Sequence, residues 1–164
     1  MAITLNDLLK LKRVAVDTSS LIYCLKVGIL GMLAARVRLE TVQPVLEELR
    51  WPKGALPVHT HPVLSREGSG EAPSVDALLL QWAVSEQLPL LSEDRELLEE
   101  ADNAGLAVYR TGMMLELLVL RNRTVREEYP EYLSRLRDVA GYNETTYREL
   151  DELHRTILRK IDPA

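Results

Sequence analysis

The stretch that decides the fold runs from residue 13 to residue 22 and reads RVAVDTSSLI. Its first four residues are a short, largely β-branched run that leads into Asp17, which is typical of a buried strand. Thr18, Ser19 and Ser20 are residues that cap helices well, and the apolar residues after them predict a helix. A buried strand that passes directly into a helix is the unit from which parallel sheets are built.

The alternation of strand and helix continues along the chain. Further strands are predicted at residues 38–42, 56–60, 88–91 and 106–109. Helices are predicted between them, at residues 44–50, 75–86, 93–103 and 113–120, and residues 65–73 have the composition of a long loop. This order predicts an α/β fold with a parallel sheet and helices on both faces.

The pattern changes after about residue 120. Two charged helical segments follow, at about residues 127–140 and 144–161, with Gly141 between them. We therefore expect an α/β domain over residues 1–120 and a C-terminal helical extension over residues 121–164.

Composition sets broad limits on function. The 164 residues are 46% apolar and 27% charged, which is ordinary for a globular domain with a sizeable core. The net charge of −5 argues against a protein that grips nucleic acid by overall charge, although bound cations can cancel acidic residues locally. Cys24 is the single cysteine, so an internal disulfide and a cysteine zinc site are excluded.

The sequence has no pattern of a signal peptide, and no apolar run approaches the roughly 20 residues that a membrane span requires. We expect a cytoplasmic protein that does not contact the membrane.

Acidic residues fall where a parallel sheet binds ligands, at the carboxyl ends of its strands. Asp17 ends the first strand, and Asp94 follows the fourth. Asp76 lies in the first turn of the helix before that fourth strand, and Glu47 and Glu48 lie on the helix after the second. Four separate elements thus each bring an acid towards one edge.

Such a cluster has a specific chemistry. Neighbouring carboxylates repel one another unless a cation lies among them, and Mg²⁺ and Mn²⁺ prefer oxygen ligands. A metal held there can activate water and stabilise the leaving oxygen of a phosphodiester. Taken singly, each aspartate is equally well explained as a helix cap, and the glutamates as solvated surface, so the metal hypothesis depends on all four elements together.

Four segments resemble the motifs of the PIN-domain family. They are VAVDTSSLI at residues 14–22, PVLEEL at 44–49, VDALLLQWA at 75–83 and LLSEDREL at 90–97. The second motif places a glutamate just before a leucine, which favours Glu48 over Glu47. Each segment is short, but their order and spacing are specific, and the resemblance covers about residues 12–120.

The resemblance implies a three-layer α/β/α fold whose five parallel strands have the order 3-2-1-4-5. It also implies Mg²⁺- or Mn²⁺-dependent cleavage of RNA by an endoribonuclease. The implied catalytic metal ligands are Asp17, Glu48, Asp76 and Asp94, with Ser19 and Ser92 supporting them through hydrogen bonds. Many family members are toxins held by an antitoxin protein and others process RNA, so RNA is the expected substrate and an antitoxin a candidate partner.

Two other classes of function compete with this one. A PIN-like scaffold would bind RNA or protein without cutting, but the presence of all four motif acids favours activity. A phosphotransfer enzyme of the dehalogenase type would need a second aspartate at position 19, and a receiver would need a lysine after the last strand. Ser19 and Arg110 stand at those positions.

Arginines and tyrosines that follow the last predicted strand have two interpretations each. Four arginines either contact RNA phosphates or are ordinary solvated residues: Arg110, Arg121, Arg123 and Arg126. Four tyrosines either stack on bases or, as we favour, pack the helices: Tyr129, Tyr132, Tyr142 and Tyr147.

Apolar faces on both tail segments also suggest a homodimer formed through the C-terminal helices, because an exposed apolar stripe usually finds a partner. His154 lies on the last of these segments and is expected to be solvated. His59 and His61 form an alternate pair for which we favour a surface role over metal binding.

Overall fold

The structure is a computed structural model that describes residues 3–50, 54–63 and 73–163. The predicted loop at residues 65–73 lies outside the described residues except for Pro73.

A single five-stranded parallel sheet forms the centre of the molecule. The strands are β1 (Arg13–Val16), β2 (Arg38–Val42), β3 (His59–His61), β4 (Leu90–Leu91) and β5 (Val108–Tyr109), and their order is β3-β2-β1-β4-β5. In the register of the sheet, Ala15 of β1 lies opposite Glu40 of β2 and Leu90 of β4. Both the α/β class and the strand order expected from the motifs are confirmed.

Ten helices surround the sheet within the described residues. They are α1 (Leu5–Lys10), α2 (Thr18–Val27), α3 (Leu30–Ala34), α4 (Gln43–Leu49), α5 (Val75–Glu86), α6 (Arg95–Asn103), α7 (Thr111–Arg121), α8 (Arg123–Glu127), α9 (Tyr129–Val139) and α10 (Glu144–Ile161). The caps explain most of the boundaries: Ser74 begins α5 as predicted, and Asp94 begins α6.

Two features of the helices differ from expectation. The short helix α1 was not predicted, although Thr4 and Asp7 form a capping box at its start. The extension holds three helices instead of two. Pro130 lies in the first turn of α9, where its missing N–H is tolerated, so it begins a new helix after α8 instead of continuing it.

The tail helices join the core of the sheet domain. Helix α10 packs along α7, and α9 packs along α2. Leu136, Leu153 and Ile157 of these tail helices belong to the same buried apolar cluster as Val14 and Val16 of β1. In the part of the chain that the structure describes, no helix has the length and apolar character needed to cross a membrane.

Candidate functional site

Asp17 is the most buried of the predicted site acids. It lies at the end of β1, caps α2 and is only 2% exposed. One carboxylate oxygen, Oδ1, accepts a hydrogen bond from the backbone N–H of Ser20 at 2.9 Å, and Oδ2 accepts one from Ser92 Oγ at 2.5 Å. Burial raises the pKa of Asp17, and the hydrogen bonds from Ser92 and Ser20 oppose that rise.

Ser92 connects Asp17 to Asp94. It is fully buried directly after β4, where its hydroxyl donates to Asp17 and accepts from the backbone N–H of Asp94 at 3.0 Å. Asp94 itself caps α6 by accepting from the N–H of Leu97 at 3.1 Å. The carboxyl ends of β1 and β4 are therefore joined by one serine hydroxyl.

Asp76 completes a line of three carboxylates. It lies in the first turn of α5 and is exposed. Burial of part of the side chain raises the pKa of Asp76, and the negative charge of Asp94 raises it further. The charge of Asp76 in turn contributes to the raised pKa of Asp17. Asp76 thus lies within electrostatic range of both Asp17 and Asp94 at the carboxyl edge of the sheet.

Glu48 and Ser19 stand apart from this line. Glu48 is exposed on α4, and its neighbour Glu47 accepts a hydrogen bond from Gln43 at 3.2 Å. Ser19 lies in the first turn of α2, but the hydrogen bond to Asp17 in that turn comes from the backbone N–H of Ser20. Among the described side chains, no group of three or more His, Cys, Asp or Glu residues is close enough to enclose a metal ion.

The donors nevertheless suit a hard divalent cation. Mg²⁺ is usually held by one or two carboxylates, keeps several waters and takes further ligands from substrate phosphates. The oxygens of Asp17, Asp76 and Asp94 are donors of that kind. Burial is the main cause of the raised pKa values of Asp17 and Asp76, and a bound cation would also relieve the smaller contribution from the neighbouring carboxylates. The residues therefore fit an open Mg²⁺ or Mn²⁺ site instead of a closed protein cage.

Glu93 is a residue of this edge for which sequence reasoning found no role. It lies between Ser92 and Asp94, and its Oε1 accepts from the backbone N–H of Thr111 at 2.7 Å and from the hydroxyl of Tyr142 at 2.9 Å. Burial raises the pKa of Glu93 although these hydrogen bonds lower it. No sequence signal marks this contact, because Tyr142 lies 49 residues further along the chain.

Sequence similarity to known proteins is low. No protein-family model matches the chain, and no curated protein matches it. Among solved structures, the chain is similar to a PilT N-terminus domain protein from the hyperthermophilic archaeon Sulfolobus solfataricus P2, with 13% sequence identity and a TM-score of 0.46. That similarity covers 68% of this chain and 94% of the archaeal chain. The strand order is the one that the PIN motifs imply. The fold is PIN-like.

Proposed function

We propose that this PIN-like protein is a Mg²⁺- or Mn²⁺-dependent endoribonuclease of the cytoplasm. The observation that supports the proposal best is the environment of Asp17. It is a carboxylate buried at the end of the central strand, bonded to Ser92 and under the electrostatic influence of Asp76, which in turn lies in the field of Asp94. A buried acid with acidic neighbours at the ligand-binding edge of a parallel sheet is costly without a cation.

In this proposal Asp17, Asp76 and Asp94 would hold the cation, with Glu48 of α4 as the fourth predicted ligand. The bound metal would lower the pKa of a water and stabilise the leaving oxygen of the phosphodiester. Ser92 orients the carboxylate of Asp17 through its 2.5 Å hydrogen bond, as supporting groups around metal ligands do, and Ser19 would act beside it.

RNA is the substrate class that we propose. Because the chain carries a net charge of −5, the phosphates must meet local cations and the metal instead of a generally basic surface. Arg110, half-buried directly after β5, lies at the same carboxyl edge as the aspartates and is the arginine best placed to contact a phosphate. Arg126 instead donates to the backbone carbonyl of Val119 at 3.2 Å.

The first test is Mn²⁺ binding by calorimetry on the wild type, Asp94→Asn and Asp102→Asn. Asparagine still caps a helix, so the Asp94 variant keeps α6 and loses only a charged ligand. Asp102 is an exposed acid near the other end of the same helix and serves as the matched control. We expect binding in the wild type and the control and at least tenfold weaker binding in Asp94→Asn. A wild type that binds no metal at millimolar concentration, with or without RNA, would refute the proposal.

Asp17→Asn tests the reaction itself. We expect RNA cleavage to be lost and the fold to be kept, since asparagine can still accept from Ser20. Because the folded state raises the pKa of Asp17, ionised Asp17 lowers stability at neutral pH, so the metal-free variant should unfold at a slightly higher temperature. Cleavage at the wild-type rate by Asp17→Asn would exclude the assignment.

The competing proposal is a PIN-like scaffold that binds RNA or protein without cutting. It is favoured by the exposed position of Glu48 and by the lack of a closed metal-ligand group among the described side chains. RNA binding that persists without metal binding or cleavage would support it.

The proposed partners beyond RNA are an antitoxin and a second copy of the chain. The apolar faces that suggested a dimer are largely packed inside, because Leu136, Leu150, Leu153 and Ile157 are buried and Leu158 is 37% exposed. An elution profile of a strict monomer would count against the dimer.

A further inference from the structure

Tyr142 connects the C-terminal extension to the acidic edge of the sheet. It lies in the short segment between α9 and α10, immediately after Gly141. Its hydroxyl donates to Glu93 Oε1 at 2.9 Å and accepts from the backbone N–H of Gly112 at 3.2 Å. A residue of the tail is thus bonded both to the segment between β4 and α6 and to the first turn of α7.

Glu93 holds the segment that carries two predicted site residues. Its carboxylate also accepts from the N–H of Thr111 at the start of α7, so one oxygen receives two hydrogen bonds. Ser92 and Asp94 are its direct neighbours in the chain, and both take part in the bonds that link β1 to α6. A shift of the Glu93 side chain would therefore move both neighbours.

The contact surface around Tyr142 is closely fitted. A Cβ atom on Gly112 would lie 3.2 Å from Tyr142 Cε2 and 2.6 Å from Leu150 Cδ1, so a larger residue there would require the Leu150 side chain to move. The guanidinium of Arg110 lies 5.6 Å from the centre of the Tyr142 ring. Burial and the charge of Glu93 raise the pKa of Tyr142, so the phenol keeps the proton that it donates.

We propose that Tyr142 is a positioning residue for the acidic site and acts through Glu93. The inference rests on the proposed function, because it assigns the extension a role in aligning Ser92 and Asp94 for metal and substrate. Tyr142 does not itself hydrogen-bond to Asp17 or Asp94. It acts on the segment between β4 and α6, which carries Asp94.

Tyr147 provides a matched control. It lies in the same tail, its ring packs against Tyr142 with 5.4 Å between ring centres, and its hydroxyl donates to the backbone carbonyl of Ala140 at 2.8 Å. Tyr147→Phe deletes a hydroxyl that makes one hydrogen bond, and Tyr142→Phe deletes one that makes two, to Glu93 and to the N–H of Gly112. Only the second deletion removes a bond to the segment beside the aspartates.

The experiment compares the wild type, Tyr142→Phe, Tyr147→Phe, Glu93→Ala and the Glu93→Ala/Tyr142→Phe double variant by hydrogen exchange in the absence of metal. The reporters are the amides of Asp94 and Leu97, which are bonded to Ser92 Oγ and Asp94 Oδ1, and the amide of Ala15 in β1 serves as the reference for global opening. Mn²⁺ affinity is measured on the same five proteins.

We expect exchange at Asp94 and Leu97 to rise about tenfold relative to Ala15 in Tyr142→Phe and to stay unchanged in Tyr147→Phe, since a hydrogen bond to a charged group is lost only in the first. Mn²⁺ affinity should fall several-fold in the same variant. In the Glu93→Ala background, Tyr142→Phe should cause no further rise in exchange at Asp94 and Leu97, because the two side chains act through the same hydrogen bond.

The result that overturns the inference is equal exchange at Asp94 and Leu97 in the two tyrosine variants. The exchange measurement requires neither metal nor RNA, so it is independent of the proposed function. If the wild type binds no Mn²⁺ while Tyr142→Phe raises exchange at Asp94 and Leu97, the contact between Tyr142 and Glu93 does position the segment and the nuclease assignment fails. If Mn²⁺ binds with equal affinity to both tyrosine variants, the nuclease assignment stands and the positioning role fails.

Discussion

Glu40 is a charged residue in the middle of a buried strand. Its side chain is completely buried in β2, and it accepts two hydrogen bonds from Arg13, at 2.6 and 3.0 Å. His61 lies 3.0 Å away and stacks on Trp82, and Arg38 lies 3.4 Å away. His61 thus takes part in a polar network on the sheet, with 34% of its side chain still exposed.

These partners decide the charge of Glu40. Burial alone would raise the pKa of Glu40, but the hydrogen bonds from Arg13 and His61 and the charge of Arg38 lower it from 4.5 to about 2. The folded state therefore favours the carboxylate. Its contribution to stability is complete above the ordinary pKa of 4.5 and is lost as the pH falls towards 2.

We predict that Glu40→Gln removes part of the acid sensitivity of the protein. At pH 7 the variant should lose up to about 3.5 kcal/mol of unfolding free energy, because the pKa of Glu40 falls from 4.5 to about 2 and each pKa unit corresponds to about 1.4 kcal/mol. Below about pH 4.5 the difference from the wild type should shrink, because the unfolded wild-type chain then takes up a proton at Glu40 that the folded state still excludes. Urea unfolding at pH 7, 5 and 3 measures this, and a constant difference at all three values would contradict the prediction.

At the scale of elements, α5 and α6 set the charge of the candidate site. Each helix begins at the carboxyl edge of the sheet and presents an aspartate in its cap or first turn, Asp76 on α5 and Asp94 on α6. From the sequence alone, each of these aspartates can be explained as a residue that stabilises a helix N-terminus. The packing of the two helices adds an electrostatic interaction that capping does not require, because the charge of Asp94 raises the pKa of Asp76.

We predict that Asp94→Asn lowers the pKa of Asp76 in the metal-free protein. Removing the negative charge removes one of the two causes of the rise, and burial, the larger cause, keeps the pKa above the ordinary 3.8. An NMR titration of the Asp76 carboxyl carbon measures it. The Asp102→Asn control should leave the value as it is, and a pKa of Asp76 that does not change in Asp94→Asn would show that the two helices are not coupled electrostatically.

At the scale of the whole molecule, the extension is part of the core. Eight of the eleven residues of α7 are buried, partly beneath α10, which is possible only with the tail in place. Glu116 of α7 is 1% exposed and accepts from Tyr129 of α9 at 2.5 Å. Its other oxygen lies 2.9 Å from His154 Nδ1 of α10, whose ring stacks on Tyr129. The tyrosines pack the tail as favoured, whereas the expected solvation of His154 is wrong.

We predict that a chain ending at residue 121 does not fold on its own. Removing α8, α9 and α10 would expose the apolar surface of α7 and leave the carboxylate of Glu116 without both partners. Circular dichroism and a thermal melt would reveal a chain without a cooperative transition. A cooperative melt of the shortened chain would instead support an independent domain over residues 1–120, as the division of the sequence suggested.

The sequence by itself determined the local units. The run at residues 13–22 and the caps at Ser74 and Asp94 were enough for the strands and the helices between them, and the resemblance of the four motifs to the PIN family implied the order of the sheet. The same motifs placed Asp17, Asp76 and Asp94 at one edge. The strands and helices could be predicted because backbone conformation, capping and the alternation of buried and exposed positions depend on residues close together in the chain.

Tertiary structure alone decided which distant side chains meet. It left Glu48 exposed on α4, joined Tyr142 to Glu93 across 49 residues, and joined His154 to Glu116 across 38. No periodicity or spacing encodes such pairs, because they form only where the packing of helices from remote parts of the chain brings a donor within about 3 Å of an acceptor and removes water from both.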